Sequence, residues 1–283
     1  MAAPPSVRYP IGPMDPQNPQ GPQMADPSMV RTLAAQTEAV WPQELPLLRR
    51  YALPAAPRIL DAGCGTGEAS RRMAEAFPGA AVLGVDVEDG SLDRARRASA
   101  HLGDRVRFEH RSVFELELPA ASFDLVVCRH VLQAVPHAER AVAELARVAR
   151  PGGWVHLVAE DYALIQFPAA HGALTLWPDV PARFGAATGT DMLVGRRAPA
   201  LLAALGLRDV TVDHVVVDTL RVPRETFAAI WEAWRDGYVE AIAEICALPA
   251  ADVRTEFDRQ IAVIRDPAQY AAWIVPVVAG RVV

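Results

Sequence analysis

A glycine-rich turn between an apolar strand and a helical segment is the part of the sequence best suited to chemistry. Residues 61–68 place Gly63, Gly65 and Gly67 between the two elements. Glycine has no Cβ and accepts positive φ, so a ligand can lie against bare backbone at the N-terminus of the helix. The next strand ends in Asp86, at about the interval where an acid binds ribose hydroxyls. The GxGxG spacing differs from the GxGxxG of dinucleotide enzymes, and with Asp86 it predicts a different ribose-containing ligand.

Short apolar runs alternate with helical segments on both sides of this turn. We predict strands at residues 58–62, 81–86, 106–110, 123–129 and 154–159, and helices at residues 68–77, 91–101 and 137–148. This alternation is typical of βαβ units and therefore of a parallel sheet. In such sheets a ligand lies at the carboxyl ends of the strands, so residues that directly follow the fourth and fifth strands should face it.

Four stretches of the sequence resemble those of class I, Rossmann-like S-adenosylmethionine-dependent methyltransferases that act on small molecules. The turn resembles the first motif of this family, residues 81–86 its ribose-binding strand, residues 122–130 the strand beneath the sulfonium, and residues 147–153 the turn before the fifth strand. The resemblance implies S-adenosylmethionine as cofactor and S-adenosylhomocysteine as product. It implies these cofactor-binding residues: Asp61, Gly63, Cys64, Gly65, Gly67, Asp86, Val87 and Arg129.

Two positions depart from the pattern of the family. Ser112, followed by Val113, stands where many relatives carry an acid toward the adenine amino group. A hydroxyl can still accept from that amine, so we predict adenine contacts from the Ser112 side chain and the Val113 backbone. Ala134 stands where relatives often place a histidine beyond the fourth strand, so the role of that histidine does not transfer to this chain.

Candidate catalytic residues follow the fourth and fifth strands. A sulfonium methyl group is already electrophilic, so positioning of donor and acceptor supplies most of the catalysis, and a base is needed only where the acceptor must lose a proton. We predict His130 as that base because imidazole titrates near neutral pH. The alternative is that His130 binds backbone or the cofactor carboxylate at a helix start. Asp161 and Tyr162 are predicted to position the acceptor.

The N-terminal region contains eight prolines in its first 27 residues, which predicts an extended arm. Helices are expected at residues 28–40 and 42–51, so that residues 28–52 form a lid over the cofactor. The resemblance also implies that residues 20–31 form a helix that closes the cofactor pocket, with Gln23 and Arg31 contacting the methionine moiety of the cofactor. The alternative for the first dozen residues is a disordered tail.

The C-terminal half departs from the alternating pattern. We expect a loop-rich stretch containing His171, then a helix at residues 191–205, a strand at 209–219, helices at 223–248 and onward to 265, and an antiparallel edge strand at 273–283. An aromatic face between Phe227 and Tyr238 is either helix core or the lining of an acceptor pocket.

The predicted fold is α/β, with a Rossmann-like, seven-stranded, mostly parallel sheet sandwiched by helices, an N-terminal helical lid and a helical insertion before the last strand. We assign an arm at residues 1–27 and one domain at residues 28–283. Within the domain, residues 58–161 form the cofactor-binding core, and residues 162–206 and 223–266 form an acceptor-side cap.

The composition of the chain limits the classes of partner that we expect. The chain of 283 residues has a formal charge of −6 and no lysine, which argues against nucleic acid as a partner. Three cysteines without paired spacing predict no metal site. No signal-peptide pattern or membrane-length apolar run is found, so we expect a cytoplasmic monomer or homodimer without a membrane partner.

The sequence thus predicts methyl transfer to an oxygen, nitrogen or carbon atom of a small, apolar or aromatic metabolite. Three alternatives stay open. The same fold supports other reactions of the bound sulfonium, a non-catalytic cofactor-binding regulator, and methylation of a protein.

Overall fold

One mixed sheet forms the centre of the molecule. The computed structural model describes residues 17–168, 176–177 and 179–283. Its strands are β1 (Arg58–Ala62), β2 (Ala81–Asp86), β3 (Val106–His110), β4 (Phe123–Arg129), β5 (Ala149–Val158), β6 (Ile165–Gln166), β7 (Arg208–Asp218) and β8 (Ala272–Arg281). The strand order is β3-β2-β1-β4-β5-β8, and β7 pairs with the other edge of β8.

Parallel and antiparallel pairings divide the sheet as expected. Strands β1 to β5 pair in parallel, whereas β8 is antiparallel to both β5 and β7. The two-residue β6 pairs with the start of β8, on the same side as β5. The seven-stranded, mostly parallel sheet is therefore confirmed, with β6 as a short eighth strand. Every residue of the central strand β4 is buried, as is usual where helices cover both faces of a parallel sheet.

Helices cover both faces of this sheet. They are α1 (Gly21–Met24), α2 (Pro27–Arg49), α3 (Glu68–Ala76), α4 (Asp89–Ala98), α5 (Ala138–Val148), α6 (Asp179–Thr188), α7 (Ala198–Ala204), α8 (Arg224–Ile245) and α9 (Ala250–Arg265). Helices α8 and α9 directly precede β8 in the chain, where the helical insertion was predicted. Trp231 and Phe227 of α8 are fully buried in a cluster with Trp273 of β8.

The N-terminal region differs from the sequence prediction in two ways. Residues 17–27 are not an extended arm throughout, because α1 forms a single helical turn and Pro27 begins α2. The two helices predicted on either side of Pro42 are one continuous helix. Pro42 and Pro46 both lie on its exposed face, so water can reach the carbonyl groups that lack an amide partner.

The segment after β6 also differs from its prediction. The helix expected at residues 191–205 is interrupted: a short 3-10 turn at Val194–Arg196 precedes α7. Helix α6 forms where a loop was expected, because Pro181 lies in its first turn, where no intrahelical N–H donor is needed. His171 lies outside the described residues.

Candidate functional site

A cleft of about 440 Å³ lies at the carboxyl ends of β1, β2, β3 and β4, under α1 and α2. Most of the residues predicted to bind a cofactor meet in its wall: Gly63, Gly65, Asp86, Val87, Ser112, Val113 and Arg129. The opposite wall comes from the N-terminal helices and includes Met24, Met29, Thr32, Leu33 and Gln36. The cleft thus combines the glycine turn, the acid and the predicted lid in one enclosed space.

The glycine turn leaves no room for side chains. Gly63, Gly65 and Gly67 all have positive φ, between 52° and 75°. A Cβ on Gly65 would lie 2.6 Å from Leu33 Cδ1, and a Cβ on Gly63 would lie 2.3 Å from Val131 Cγ2. Gly67 does not line the cleft. A Cβ at this position would clash with the ring of Phe108, so the missing side chain allows the helix to pack closely against the strand.

Asp86 is held in place by the turn itself. Its Oδ2 accepts a hydrogen bond of 2.8 Å from the Gly65 N–H, and its Oδ1 accepts one of 2.9 Å from the Glu88 N–H. Burial raises the pKa of Asp86 even though these amides favour the charged form. A hydroxyl donor from a ligand would relieve this cost, which is the property that a ribose-binding acid needs.

A small recess of about 20 Å³ adjoins the cleft beneath the glycine turn. Asp61 and Cys64 line it together with residues shared with the cleft. The Asp61 carboxylate accepts a hydrogen bond of 2.5 Å from Ser70 Oγ, and burial raises the pKa of Asp61 to about 6. Burial also raises the pKa of the Cys64 thiol, which disfavours the nucleophilic thiolate form.

Arg129 is neutralised by a partner that sequence reasoning missed. Glu44 of α2, fully buried, accepts hydrogen bonds from Arg129 Nε at 2.9 and 3.0 Å, and Arg129 Nη2 lies 2.8 Å from its second oxygen. Burial opposes ionisation of Glu44, but the charges of Arg129 and His156 outweigh burial and lower its pKa to about 2. This buried pair joins the lid helix to the end of β4.

His130, directly after β4, faces both the cleft and the recess. Its Nδ1 lies 2.5 Å from Glu160 Oε1, and the other Glu160 oxygen accepts a hydrogen bond of 3.2 Å from the Trp273 indole N–H. Glu160 is fully buried, and the His130 side chain is 7% exposed. Among the described residues His130 Nε2 is buried without a hydrogen-bond partner. A carboxylate on Nδ1 favours the Nδ1–H tautomer, which leaves Nε2 as a proton acceptor.

A second, narrower chamber of about 60 Å³ opens beside the cleft. Its described wall is mostly aromatic or aliphatic and carries no charged side chain: Gln20, Gln133, Tyr162, Trp177, Val180, Pro181, Phe184, Met192, Trp234, Tyr238, Ile242 and Phe257. Four of these also line the cleft and form the border between the two spaces: Gln133, Tyr162, Trp234 and Tyr238.

The aromatic face of α8 contributes partly to the core and partly to a cavity wall, and the assignment of that cavity to the acceptor stays a prediction. Phe227 and Trp231 are core residues, whereas Trp234 and Tyr238 line the chamber. The chamber therefore suits an apolar or aromatic ligand. Tyr162 lines both cavities and stacks on Trp177 with ring centroids 5.7 Å apart, and its role in positioning the acceptor stays a prediction.

Asp161 and Gln23 are not part of either cavity. Both Asp161 oxygens accept hydrogen bonds of 2.7 Å from the Arg196 guanidinium, which makes Asp161 a structural residue in place of an acceptor-positioning one. In this segment Gln20 lines the chamber and Met24 lines the cleft, whereas Gln23 lines neither. The contact predicted for Gln23 assumed one lid helix over residues 20–31, whereas the structure has α1 and α2 with a break between them.

Glu160 and Gln133 were missed by sequence reasoning. Glu160 and Asp161 are adjacent acids that follow β5. Their position after a strand indicates that one of them lies near the ligand, but it does not show which one. Gln133 lies in the turn after β4, where nothing in the sequence distinguishes it from a surface residue.

Strand order, glycine turn and cleft define the class I, Rossmann-like methyltransferase fold. A family model described as a methyltransferase domain matches residues 59–153, and that segment belongs to this family. The same stretch supplies β1 to β4, the start of β5 and most of the cleft wall.

Two curated relatives and one solved structure illustrate the similarity. The 27-O-demethylrifamycin SV methyltransferase of Amycolatopsis mediterranei is 40% identical over 41% of this chain and 43% of its own length. The ubiquinone biosynthesis O-methyltransferase of Aromatoleum aromaticum is 39% identical over 40% and 48%, respectively. The chain therefore matches less than half of the length of either relative.

The solved structure is a phosphoethanolamine N-methyltransferase of Haemonchus contortus in complex with phosphomonomethylethanolamine and S-adenosylhomocysteine. The superimposed region covers 97% of this chain and 61% of that protein, with a TM-score of 0.59 and 18% identity. At that identity the likeness concerns the fold. Within the described residues no helix combines the length and apolarity needed to cross a membrane.

Proposed function

We propose that the chain transfers a methyl group from S-adenosylmethionine to a small, apolar or aromatic metabolite, with oxygen favoured as the attacking atom. The observation that carries the proposal is His130, held by Glu160 between the cleft and the glycine-turn recess. The curated relatives, two of which are named as methyltransferases acting on oxygen or on a demethylated product, support the reaction type.

The cleft fits this cofactor. The turn at Gly63 and Gly65 offers bare backbone to the methionine end, Asp86 lies where ribose hydroxyls would donate to it, and Ser112 and Val113 lie where the adenine would end. When bound, S-adenosylmethionine supplies an electrophilic methyl group on a sulfonium. The lid at residues 28–52 and the caps at residues 162–206 and 223–266 would enclose both ligands and exclude water.

His130 removes the proton of the acceptor hydroxyl. As the acceptor oxygen bonds to the methyl carbon and the carbon–sulfur bond breaks, His130 Nε2 takes the hydroxyl proton and later releases it to water. Glu160 stabilises the resulting imidazolium and holds the ring in place. Tyr162 and Trp234 confine the apolar body of the acceptor at the border of the chamber.

Calorimetric titration with S-adenosylmethionine and S-adenosylhomocysteine tests the cofactor assignment. We expect micromolar binding by the wild type and its loss in Asp86→Ala and Gly65→Val, whereas the exposed Asp104→Ala serves as control and should bind normally. Absence of binding by the wild type contradicts the proposal. Binding without a methylated product in an acceptor screen followed by mass spectrometry would favour a different reaction of the sulfonium or a regulatory role.

A further inference from the structure

Gln133 presents a second buried acceptor atom at the border of the cleft and the chamber. The residue is 7% exposed and lies one turn beyond β4, three residues after His130. Its Nε2 donates a hydrogen bond of 2.7 Å to the His130 carbonyl oxygen. Only the NH₂ end of the amide can donate there, so this contact fixes the orientation of the amide and directs Oε1 elsewhere.

Gln133 Oε1 is buried and has no hydrogen-bond partner in the described part of the chain. Buried polar atoms in folded proteins are nearly always paired, so an orphan atom in a cavity wall indicates a ligand group that completes it. The chamber wall contains Gln133 and no residue of the glycine turn, nor Asp86. Gln133 also lines the cleft at its border with the chamber, so the residue lies between the space assigned to the cofactor and the space assigned to the acceptor.

The two orphan atoms have the same hydrogen-bonding character. His130 Nε2 accepts because Glu160 takes the proton on Nδ1, and an amide oxygen can only accept. A ligand that satisfies both atoms must therefore supply two donors. No charged side chain occurs among the described residues that line the chamber, which argues for a neutral ligand body.

We propose that the acceptor is a neutral, apolar or aromatic molecule with two hydrogen-bond donors. One is the hydroxyl that becomes methylated, which donates to His130 Nε2, and the other is an O–H or N–H that donates to Gln133 Oε1. This inference rests on the proposed methyl transfer and specifies its substrate class. A molecule without the second donor leaves Gln133 Oε1 buried and unpaired, and sites built around a substrate hydrogen bond reject such analogues strongly.

A set of matched naphthalenes tests the requirement for two donors. Naphthalene-2,3-diol has both donors, 2-naphthol lacks the second, and 3-methoxy-2-naphthol replaces the second donor by a group that only accepts. Their affinities for the protein saturated with S-adenosylhomocysteine are measured by calorimetry, and their methylation with S-adenosylmethionine by mass spectrometry. We expect the diol to bind and react about tenfold to a hundredfold better than the other two.

Gln133→Leu should remove this preference while the affinity for S-adenosylhomocysteine stays within about twofold. Gln133→Met repeats the test if circular dichroism shows that leucine disturbs folding. The exposed Gln269→Leu is the matched control and should keep the preference for the diol.

Three results would overturn the inference: equal or no binding of the three compounds by the loaded wild type, a preference that survives Gln133→Leu, or a large loss of S-adenosylhomocysteine affinity in that variant. The last would assign Gln133 to the cofactor. Failure of the proposed function itself is distinguishable, because the wild type would then either not bind S-adenosylhomocysteine or bind it and yield no methylated product in the acceptor screen.

Discussion

Glu44 and Arg129 form a buried ion pair that connects the lid helix α2 to the end of the central strand β4. His156 Nε2 lies 3.2 Å from the same carboxylate, and its Nδ1 lies 2.6 Å from the Tyr51 hydroxyl. The charge of Arg129 at the cleft is thus balanced from the lid, and the position of the lid depends on the pair.

Glu44→Gln should strongly destabilise the protein at neutral pH. Removing one partner leaves the other charge buried, which costs about 3–5 kcal/mol in comparable pairs. The folded-state pKa of about 2 lies below the ordinary 4.5, so the contribution is complete above about pH 4.5 and is lost as pH falls toward 2. Urea unfolding at pH 7 and pH 3.5 should therefore show a smaller difference from the wild type at the lower pH. Glu225→Gln should change both values only slightly, because the ion pair of Glu225 with Arg265 is exposed to solvent, and an equal effect of both variants would contradict the prediction.

Glu160→Gln should reverse the tautomer of His130. The Trp273 indole N–H can only donate, so it retains the single glutamine oxygen and turns the amide NH₂ toward His130 Nδ1. Nδ1 must then accept, Nε2 carries the proton, and methylation should fall about 100-fold to 10,000-fold. Nitrogen-15 NMR of histidine-labelled protein at a pH where imidazole is neutral measures the tautomer, with His130→Gln identifying the signal.

The double variant Glu160→Gln with Trp273→Phe provides the check on that explanation. Without the indole donor the glutamine oxygen is free to face His130, so the Nδ1–H tautomer and part of the activity should return. Trp273→Phe alone should keep the original tautomer. An unchanged His130 spectrum in Glu160→Gln would show that Glu160 does not control the ring.

Gly65→Ala and Gly103→Ala form a matched pair of substitutions. Both glycines have positive φ, 52° at Gly65 and 57° at Gly103, so alanine adds backbone strain at each, and Gly103, with a ψ of −140°, lies in a region that only glycine adopts readily. A Cβ at position 65 meets Leu33, whereas nothing in the described structure lies within 4 Å of one at position 103. Both variants should lose some thermal stability, but only Gly65→Ala should weaken S-adenosylmethionine binding, by at least about tenfold. Leu33→Ala added to Gly65→Ala should restore part of it, and no restoration would refute the steric explanation.

Asp61→Asn should stabilise the protein without ligand at neutral pH. Burial raises the folded-state pKa of Asp61 from 3.8 to about 6, so its ionised form opposes folding, increasingly from about pH 4 to pH 6 and fully above that. The gain should reach at most about 3 kcal/mol at pH 7.5 and vanish near pH 4. Thermal unfolding across this range measures it, with the exposed Asp104→Asn as control. A gain that is independent of pH would contradict the explanation.

The first half of the fold could be predicted from the sequence because local signals and burial agree there. Strands β1 to β4 begin and end where predicted, since each is an apolar run bounded by turn residues. Proline caused the main errors: exposed Pro42 is tolerated within α2, and Pro181 lies in the first turn of α6. A rule about residue type does not show which face of a helix will be exposed.

The cofactor side of the site was accessible to sequence reasoning, and the acceptor side much less so. The glycine turn and Asp86 are close in the chain and have a recognisable spacing. The partners of His130 and Arg129 are distant in the chain and have no recognisable spacing, because Glu160 lies 30 residues from His130 and Glu44 lies 85 residues from Arg129. Such pairs exist only once the sheet and the lid are packed together.

The N-terminal helices supply one continuous wall to both cavities. Gln20 faces the chamber, while Met24 and Leu33 face the cleft. A ligand that fixes this wall from one side reduces the entropy that must be lost when the other side is filled. By thermodynamic reciprocity each ligand would then increase the affinity for the other by the same factor, so we expect donor and acceptor to bind with positive cooperativity.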